Sequence, residues 1–290
     1  MLDGQAMART VNRSDRRAVP VGARSAIVLA VASLAGLAMF AWPLFLPVGA
    51  DATQASTEAP YFFVVIVALI VALAVTQVLD GGLDPKALAM LGVLSAVNAA
   101  LRPLSAGSNG VELVFFMLIL AGRVFGPGFG FLLGCSSLFA SGLLTAGVGP
   151  WLPFQMLAAA WVGLLAGLLP DKIAGKPLRG APEIALLAGM GVIAGYLFGT
   201  CMNLWFWPFM AGQSFGGNAG LSYVPGGSLL GNLHRFAVYT IATSTALWDT
   251  GRAITNAVLI VVVGPGVLGV FRRAARRASF APDVVFEPES

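Results

Sequence analysis

The stretch GVGPWLPFQMLAAAWVGLLAGLLPDK, residues 147–172, places a proline on each side of a tryptophan and then becomes almost purely apolar. Residues 152–170 are long enough to cross a bilayer as a helix, which takes about 20 apolar residues. Proline is tolerated in a first helical turn, where its missing N–H would have no partner, and tryptophan favours the headgroup region. The stretch therefore predicts a membrane helix with a rigid outer start.

Composition extends this class to the whole chain. Of its 290 residues, 58% are hydrophobic and only 10% are charged, and the mean hydropathy is +0.85, whereas soluble domains carry about 25% charged residues. We therefore predict an all-α integral membrane protein. The net charge of +4 arises from basic residues clustered at both ends and in one loop, which is typical of membrane topology and not of nucleic-acid binding.

Eight apolar runs are long enough to cross the membrane. An even number of crossings returns the C-terminus to its starting side, and the basic ends and the basic loop at 171–182 favour the cytoplasm for that side. We therefore predict a multi-pass plasma-membrane protein with both termini in the cytoplasm. The predicted spans are residues 26–47, 61–79, 86–104, 111–126, 128–146, 152–170, 183–208 and 250–271.

Residues 229–247, LLGNLHRFAVYTIATSTAL, are also apolar enough to form a helix. If they crossed the membrane too, the basic RRAARR at 272–277 would lie outside, against the positive charge bias. The segment is therefore predicted to be tilted, re-entrant or packed over the outer mouth.

The turn DGGLDPK, residues 80–86, separates the first two helices from the rest, because its glycine pair and Asp-Pro step are turn formers. The tail beyond residue 278 is polar and contains proline, which favours disorder. We predict a basic cytoplasmic arm at 1–25, a two-helix addition at 26–85, a six-helix core at 86–271, and a basic and then disordered cytoplasmic tail at 272–290.

Small residues recur every four positions in the third predicted helix. Gly92, Ala96 and Ala100 form one stripe, and Ser95 with Ala99 repeats the spacing on a neighbouring stripe. Such stripes let another helix approach closely, which matters in lipid because hydrophobicity gives helices no drive to associate there. The face serves either internal packing or docking of another membrane subunit.

Polar and aromatic residues collect near the predicted outer ends of the helices. Gln155 and Trp151 are four apart and share a helix face, and ionisable groups within a membrane are usually paired or functional. A ligand pocket is one interpretation; an aromatic interfacial belt and an ion pair between Asp249 and Arg252 at a helix start are the alternatives. The candidate substrate-binding residues are Asn98, Glu112, Trp151, Gln155, Trp161, Asn203, Trp248, Asp249 and Asn256, with Arg102 nearby.

The sequence offers few residues that could support catalysis or bind a metal. It has one histidine, His234, and no cluster with metal-ligand spacing or nucleophile beside a base. Nothing matches the phosphate loop GxxxxGK[ST], so the chain has no ATPase of its own. Cys135 and Cys201 lie in apolar stretches and are predicted to be buried, unpaired residues. We therefore predict no enzymatic activity, no metal and no cofactor.

The order of four segments resembles the substrate-binding S components of energy-coupling factor transporters. These segments are LGVLSAVNAALRPL at 91–104, FGPGFGFLLG at 125–134, GPWLPFQMLAAAWVGLLAGLLP at 149–170 and WDTGRAITN at 248–256. The resemblance covers roughly residues 86–271. It implies a six-helix membrane protein that captures a vitamin or related micronutrient in an outward pocket.

The same resemblance implies partners: a transmembrane T component and two cytoplasmic ABC ATPases, which drive the S component to topple and release its cargo. The docking face would comprise Gly92, Ala96 and Ala100 with Ser95 and Ala99. The pocket positions would hold Trp151, Gln155, Asn203, Asp249 and Asn256.

The outer half of the core offers few cations, namely Arg102, Arg235 and Arg252, so its aromatic and amide rim suits a large, mostly neutral ring system. A cobalamin-type corrinoid is the leading prediction, followed by flavins and other vitamins. The alternative function is a self-sufficient secondary permease or channel for a small organic solute. A proton-coupled carrier would usually show a midplane acid or histidine chain and internal repeats, and neither is visible.

Overall fold

The computed structural model describes residues 19–41, 44, 54–81, 83–105, 110–210 and 219–278. The described chain is almost entirely helical and includes one two-stranded antiparallel hairpin, β1 (Lys172–Ile173) with β2 (Lys176–Pro177). The all-α class predicted from composition is confirmed. The helices are α1 (Ala23–Ala41), α2 (Gln54–Leu79), α3 (Pro85–Ser105), α4 (Val114–Phe125), α5 (Pro127–Leu144), α6 (Leu152–Leu168), α7 (Ala181–Phe206), α8 (Leu229–Thr240), α9 (Thr250–Val262) and α10 (Gly264–Ala278).

Four described helices are each long and apolar enough to cross a membrane, and a bent pair that starts at Leu229 makes a possible fifth. Three further apolar helical stretches, Val64–Leu79, Val114–Phe125 and Leu152–Leu168, are shorter. All eight predicted runs therefore contain helix. By length and composition alone, only four or five of the described helices could each cross a membrane. The 12-residue α4 measures about 18 Å, and nearly all of its side chains are buried by neighbouring helices.

The centre of the bundle is formed by α4, α5 and α6, whose backbones are in direct contact. Five glycines line the contacts: Gly122 in α4, Gly130 and Gly134 in α5, and Gly163 and Gly167 in α6. A Cβ atom at Gly163 would meet the carbonyl oxygen of Gly130, and a Cβ atom at Gly130 would meet the carbonyl oxygen of Gly163. This approach is available only to glycine, as in other closely packed membrane helices.

A second glycine stripe joins α7 to α9. Gly191, Gly195 and Gly199 lie at i, i+4 and i+8 of α7; a Cβ atom at Gly191 would be 3.0 Å from the Cβ atom of Asn256, and one at Gly199 would meet the carboxylate of Asp249. This stripe was not predicted from the sequence, although its spacing matches that of the small-residue stripe in the third predicted helix.

Residues 229–262 form one continuous helical run, in which a π-helical segment (Ile241–Asp249) joins α8 to α9. The predicted last span, 250–271, differs from the structure at both ends. The helix begins at Leu229, and it ends at Val262, where the chain bends by 66° into α10. Thirty-four residues of helix measure about 51 Å against a hydrocarbon core of about 30 Å, so the run exceeds the membrane thickness unless it is strongly tilted.

The predicted two-helix addition is fastened at the turn that follows α2. Asp80 Oδ2 accepts hydrogen bonds from the hydroxyl of Ser25 at 2.7 Å and from its backbone N–H at 3.1 Å. These two hydrogen bonds lower the pKa of Asp80 below its ordinary value, and the bond from the hydroxyl has the larger effect. This link to the start of α1 is therefore present above pH ~4 and is lost as the pH falls through the lowered pKa.

Both added helices pack on the central helices. Phe40 of α1 lies 5.6 Å from the ring of Trp161 and 5.1 Å from that of Phe154, both in α6. Gln77 of α2 packs against Gly128 at the start of α5. The addition thus covers α5 and α6.

The first and last described segments lie at the same end of the bundle. The backbone N–H of Val19 donates to the carbonyl of Phe125 at the end of α4, and the ring of Phe271 in α10 lies 5.6 Å from that of Phe125. Most of the predicted arm and the predicted disordered tail lie outside the described residues. Which side of the membrane this end faces stays a prediction from the charge bias.

Gly163→Ala tests the central packing. The added methyl group would overpack the contact with Gly130, and we expect a loss of about 1–3 kcal/mol in folding stability, measured by thermal unfolding in detergent. Gly189→Ala in α7 is the matched control, because a Cβ atom there meets no atom within 4 Å and alanine is the better helix former. Equal melting temperatures for the two variants would contradict the packing account.

Candidate functional site

A cavity of about 270 Å³ lies between the C-terminal part of α7 and the helical run Leu229–Val262. It is at the end of the bundle opposite to α10, because α7 begins near α10 and ends at the cavity. Of the predicted residues, Asn203 and Trp248 line it. The polar and aromatic lining consists of Asn203, Tyr239, Thr243, Ser244, Trp248 and Arg252.

Arg252 joins two acidic residues beside the cavity. Its Nη1 lies 2.9 Å from Asp249 Oδ1 and its Nε lies 3.3 Å from Glu112 Oε2. The guanidinium also lies over the ring of Phe198, 5.4 Å from its centroid, an arrangement that favours a cation. Arg252, the one cation among the described residues that line the cavity, is thus paired with two carboxylates.

Asp249 is fully buried, and the π-helical segment determines its partners. Its Oδ1 also accepts a hydrogen bond from the hydroxyl of Ser244 at 2.9 Å. Ser244 and Asp249 are five residues apart. A π-helix places residues at this spacing above one another on one face, whereas an α-helix does not. The hydroxyl of Thr250 fixes the same winding by donating to the carbonyl of Thr245 at 2.7 Å, so the π-helical segment positions the acidic wall of the cavity.

A second polar contact extends from the cavity toward α6. Arg102 Nη2 donates to Gln155 Oε1 at 2.8 Å, and Arg102 is attracted electrostatically to Glu112. The amide of Gln155 therefore binds a cation of α3 that belongs to the same polar group as Glu112 and Arg252. This contact explains why a polar residue follows the start of α6.

Several buried polar atoms of the described chain have no hydrogen-bond partner. They include Nδ2 of Asn203, Oδ2 of Asp249, and both amide atoms of Asn256. Buried polar groups are nearly always hydrogen-bonded, so Asn203, a residue of the cavity wall, carries a buried donor without an acceptor in the described structure. Asn256 faces Gly191 between α7 and α9 and does not line the cavity.

Three other predicted site residues lie away from the cavity. Asn98 is fully buried and donates to the hydroxyl of Ser137 in α5 at 3.0 Å. The indole N–H of Trp151 donates to the carbonyl of Gly147 at 3.2 Å. Trp161 packs on Phe40 of the N-terminal addition. These contacts give all three a packing or capping role.

The two small-residue stripes of α3 face in different directions. Ser95 and Ala99 are buried, and the hydroxyl of Ser95 lies 2.6 Å from that of Ser136 in α5. Gly92, Ala96 and Ala100 are exposed. Ser95 and Ala99 are thus occupied by internal packing, and the other stripe is open on the surface.

The cavity residues Tyr239, Thr243 and Ser244 were not predicted, because they fall in the segment 229–247, which was predicted only to be tilted, re-entrant or packed over the outer mouth. Tyr239 also packs in a small aromatic cluster with Trp207, whose indole N–H donates to the carbonyl of Leu221 at 2.8 Å. This cluster fastens α8 to the end of α7. The hydroxyl-rich stretch YTIATST at 239–245 is the signal that could have indicated a polar lining.

The described residues contain no group of three or more histidine, cysteine or acidic side chains able to hold a metal ion. Cys135 is buried, Cys201 is half-buried, and both are free thiols.

The family model for the substrate-specific component of ECF transporters matches residues 86–264. The chain belongs to this family. The match begins at α3 and ends at the bend after α9, so α1, α2 and nearly all of α10 lie outside it. No curated protein and no solved structure gives a significant match. As a substrate-specific component, the chain is a membrane transporter subunit.

A double-mutant cycle tests the ion group. We expect Arg252→Gln to cost about 3–5 kcal/mol of folding stability, because it leaves the buried carboxylate of Asp249 without its cation. Asp249→Asn/Arg252→Gln should cost less than the sum of the single changes, since no buried charge is then left unpaired. Strictly additive losses in ligand-free protein would contradict the pairing.

Proposed function

We propose that the chain captures a vitamin or related micronutrient in the cavity between α7 and the run Leu229–Val262, and that partner subunits hydrolyse ATP to import it. The observation that carries this proposal is the cavity itself, in which Asn203 offers an unpaired buried donor beside aromatic and hydroxyl side chains. Membership of the family supports the transport role. A transmembrane T component and two ABC ATPases are the proposed partners.

The charge of the cavity wall favours a neutral ligand. An anionic ligand would need a cation that is not already paired with a carboxylate, whereas Arg252 is paired with Asp249 and Glu112. Trp248 and Tyr239 offer ring surfaces for stacking, and Asn203 and Thr243 offer hydrogen bonds. We propose a ring compound that is mostly neutral and carries hydrogen-bonding groups at its edge.

The size of the cavity argues for a ligand smaller than the predicted corrinoid. Pockets that enclose drug-sized ligands measure about 300–1,000 Å³, and this cavity measures about 270 Å³. A cobalamin-type macrocycle with its side groups would extend well beyond the described walls of this open cavity. We therefore rank a flavin-like or smaller vitamin ahead of cobalamin.

The exposed stripe of α3 supports docking on the T component. Gly92, Ala96 and Ala100 lie on the surface, where their small side chains would let a partner helix approach closely. The added helices pack on α5 and α6, so they leave this stripe open. We propose that the two-helix addition does not obstruct assembly.

Binding of labelled vitamins to purified protein tests the ligand site. We expect a submicromolar ligand within the vitamin panel, and we expect Asn203→Leu and Thr243→Val each to weaken it up to about tenfold, because one hydrogen bond contributes about 1 kcal/mol. Trp151→Phe is the control, since Trp151 lies outside the cavity. No submicromolar ligand, or an equal loss in the control, would contradict the proposal.

Ala96→Trp tests the docking stripe. Binding of the ligand should be retained and uptake into cells should be lost, because the indole would block close helix contact. Ala30→Trp is the matched control: Ala30 is exposed on α1, and the variant should bind and transport normally. Normal uptake by Ala96→Trp would exclude this stripe as the docking face.

A further inference from the structure

The helix α10 differs in direction and composition from the helix that precedes it. Its axis turns by 66° from that of the run Leu229–Val262. One side packs on the bundle through Leu268 and Phe271, which are both buried. The exposed side carries Arg273, Arg276 and Arg277, whereas Arg272 is half-buried and reaches Glu183 of the bundle. It is therefore a basic amphipathic helix attached to the end of a membrane bundle.

A buried ion network ties α10 to the β1–β2 hairpin region. Glu183 of α7 accepts from Arg272 at 2.6 Å and from Arg123 of α4 at 2.8 Å. Arg123 also pairs with Asp171, immediately before β1, at 2.8 Å, and binds the carbonyl of Pro170 at 3.1 Å. The hairpin and α10 are thereby brought to the same end of the bundle.

The acidic residues next to these elements are already engaged. Asp171 is held by Arg123, and Glu183 is held by Arg123 and Arg272. Outside this ion network, five basic side chains of α10 and the hairpin region are exposed, so the described part of this surface carries a positive excess. They are Lys176, Arg179, Arg273, Arg276 and Arg277.

An apolar side chain lies next to this charge. Val270 is 52% exposed, and Arg273 and Arg277 follow it at i+3 and i+7, which places the three on adjoining positions of one helix face. Arginine stems can lie along apolar material while the guanidinium reaches polar groups. A surface that combines exposed valine with arginine matches the boundary between acyl chains and headgroups.

We propose that α10 lies in the membrane interface and, with the β1–β2 hairpin, binds the phosphate groups of anionic phospholipids. The bend keeps the helix close to the end of the bundle, the exposed side chain of Val270 contacts acyl chains, and the exposed arginines meet the headgroups. Guanidinium groups bind phosphate oxygens in a paired geometry, and clustered basic residues beside a spanning helix favour anionic lipid. This surface is independent of the vitamin cavity at the opposite end.

Thermal unfolding of the purified full chain in detergent tests the proposal. Added phosphatidylglycerol should raise the melting temperature by several degrees, while phosphatidylcholine with the same acyl chains should not. The shift should largely disappear in 1 M NaCl, where screening acts within about 3 Å. Equal shifts with the two lipids would overturn the proposal, as would the same shift with inorganic phosphate alone.

Variants locate the effect. R273Q/R276Q/R277Q should lose more than half of the phosphatidylglycerol shift and should unfold at the wild-type temperature without lipid, because these side chains are exposed. R24Q/K86Q, which removes exposed basic residues outside this surface, should keep the full shift. A full shift in the triple variant would overturn the proposal, and so would loss of assembly with partner subunits by a triple variant that still responds to lipid.

Discussion

The direct backbone contact among α4, α5 and α6 is the constraint on which the rest of the structure depends. In lipid, helices gain little from hydrophobic burial against one another, and close packing must supply the association energy. Gly130 and Gly163 allow each helix to contact the carbonyl groups of the next. Around this centre, α3 packs through Ser95 and Ala99, and the N-terminal addition packs on α5 and α6.

The helices α7 and α9 beside the cavity also pack closely at glycine residues. Gly199 leaves the space that the carboxylate of Asp249 occupies, and the π-helical winding brings Ser244 to that carboxylate. A buried carboxylate is costly unless it is paired and hydrogen-bonded. Arg252 supplies the pair, and this pairing leaves the described cavity wall without excess positive charge, which is the reason we propose a neutral ligand.

Composition and hydropathy were sufficient to predict the membrane class, the helical runs and, through the order of four segments, the family. They were insufficient where distant segments meet. Trp161 faces α1, and Gln155 binds Arg102; neither partner can be read from the local sequence. The prediction from the charge bias counted each apolar run as a separate crossing. It therefore treated residues 229–247 and the last span as two segments. A continuous helix with π-helical winding has no comparable local pattern, so Tyr239, Thr243 and Ser244 were missed.

We propose that this chain captures a ligand but does not move it across the membrane alone. Uptake of the labelled ligand into proteoliposomes tests this most directly, with the chain reconstituted alone and then with a T component, both ATPases and ATP. We expect binding without accumulation for the chain alone, and accumulation only when the ATPases are present and active. Accumulation by the chain alone, without ATP, would instead establish a self-sufficient permease.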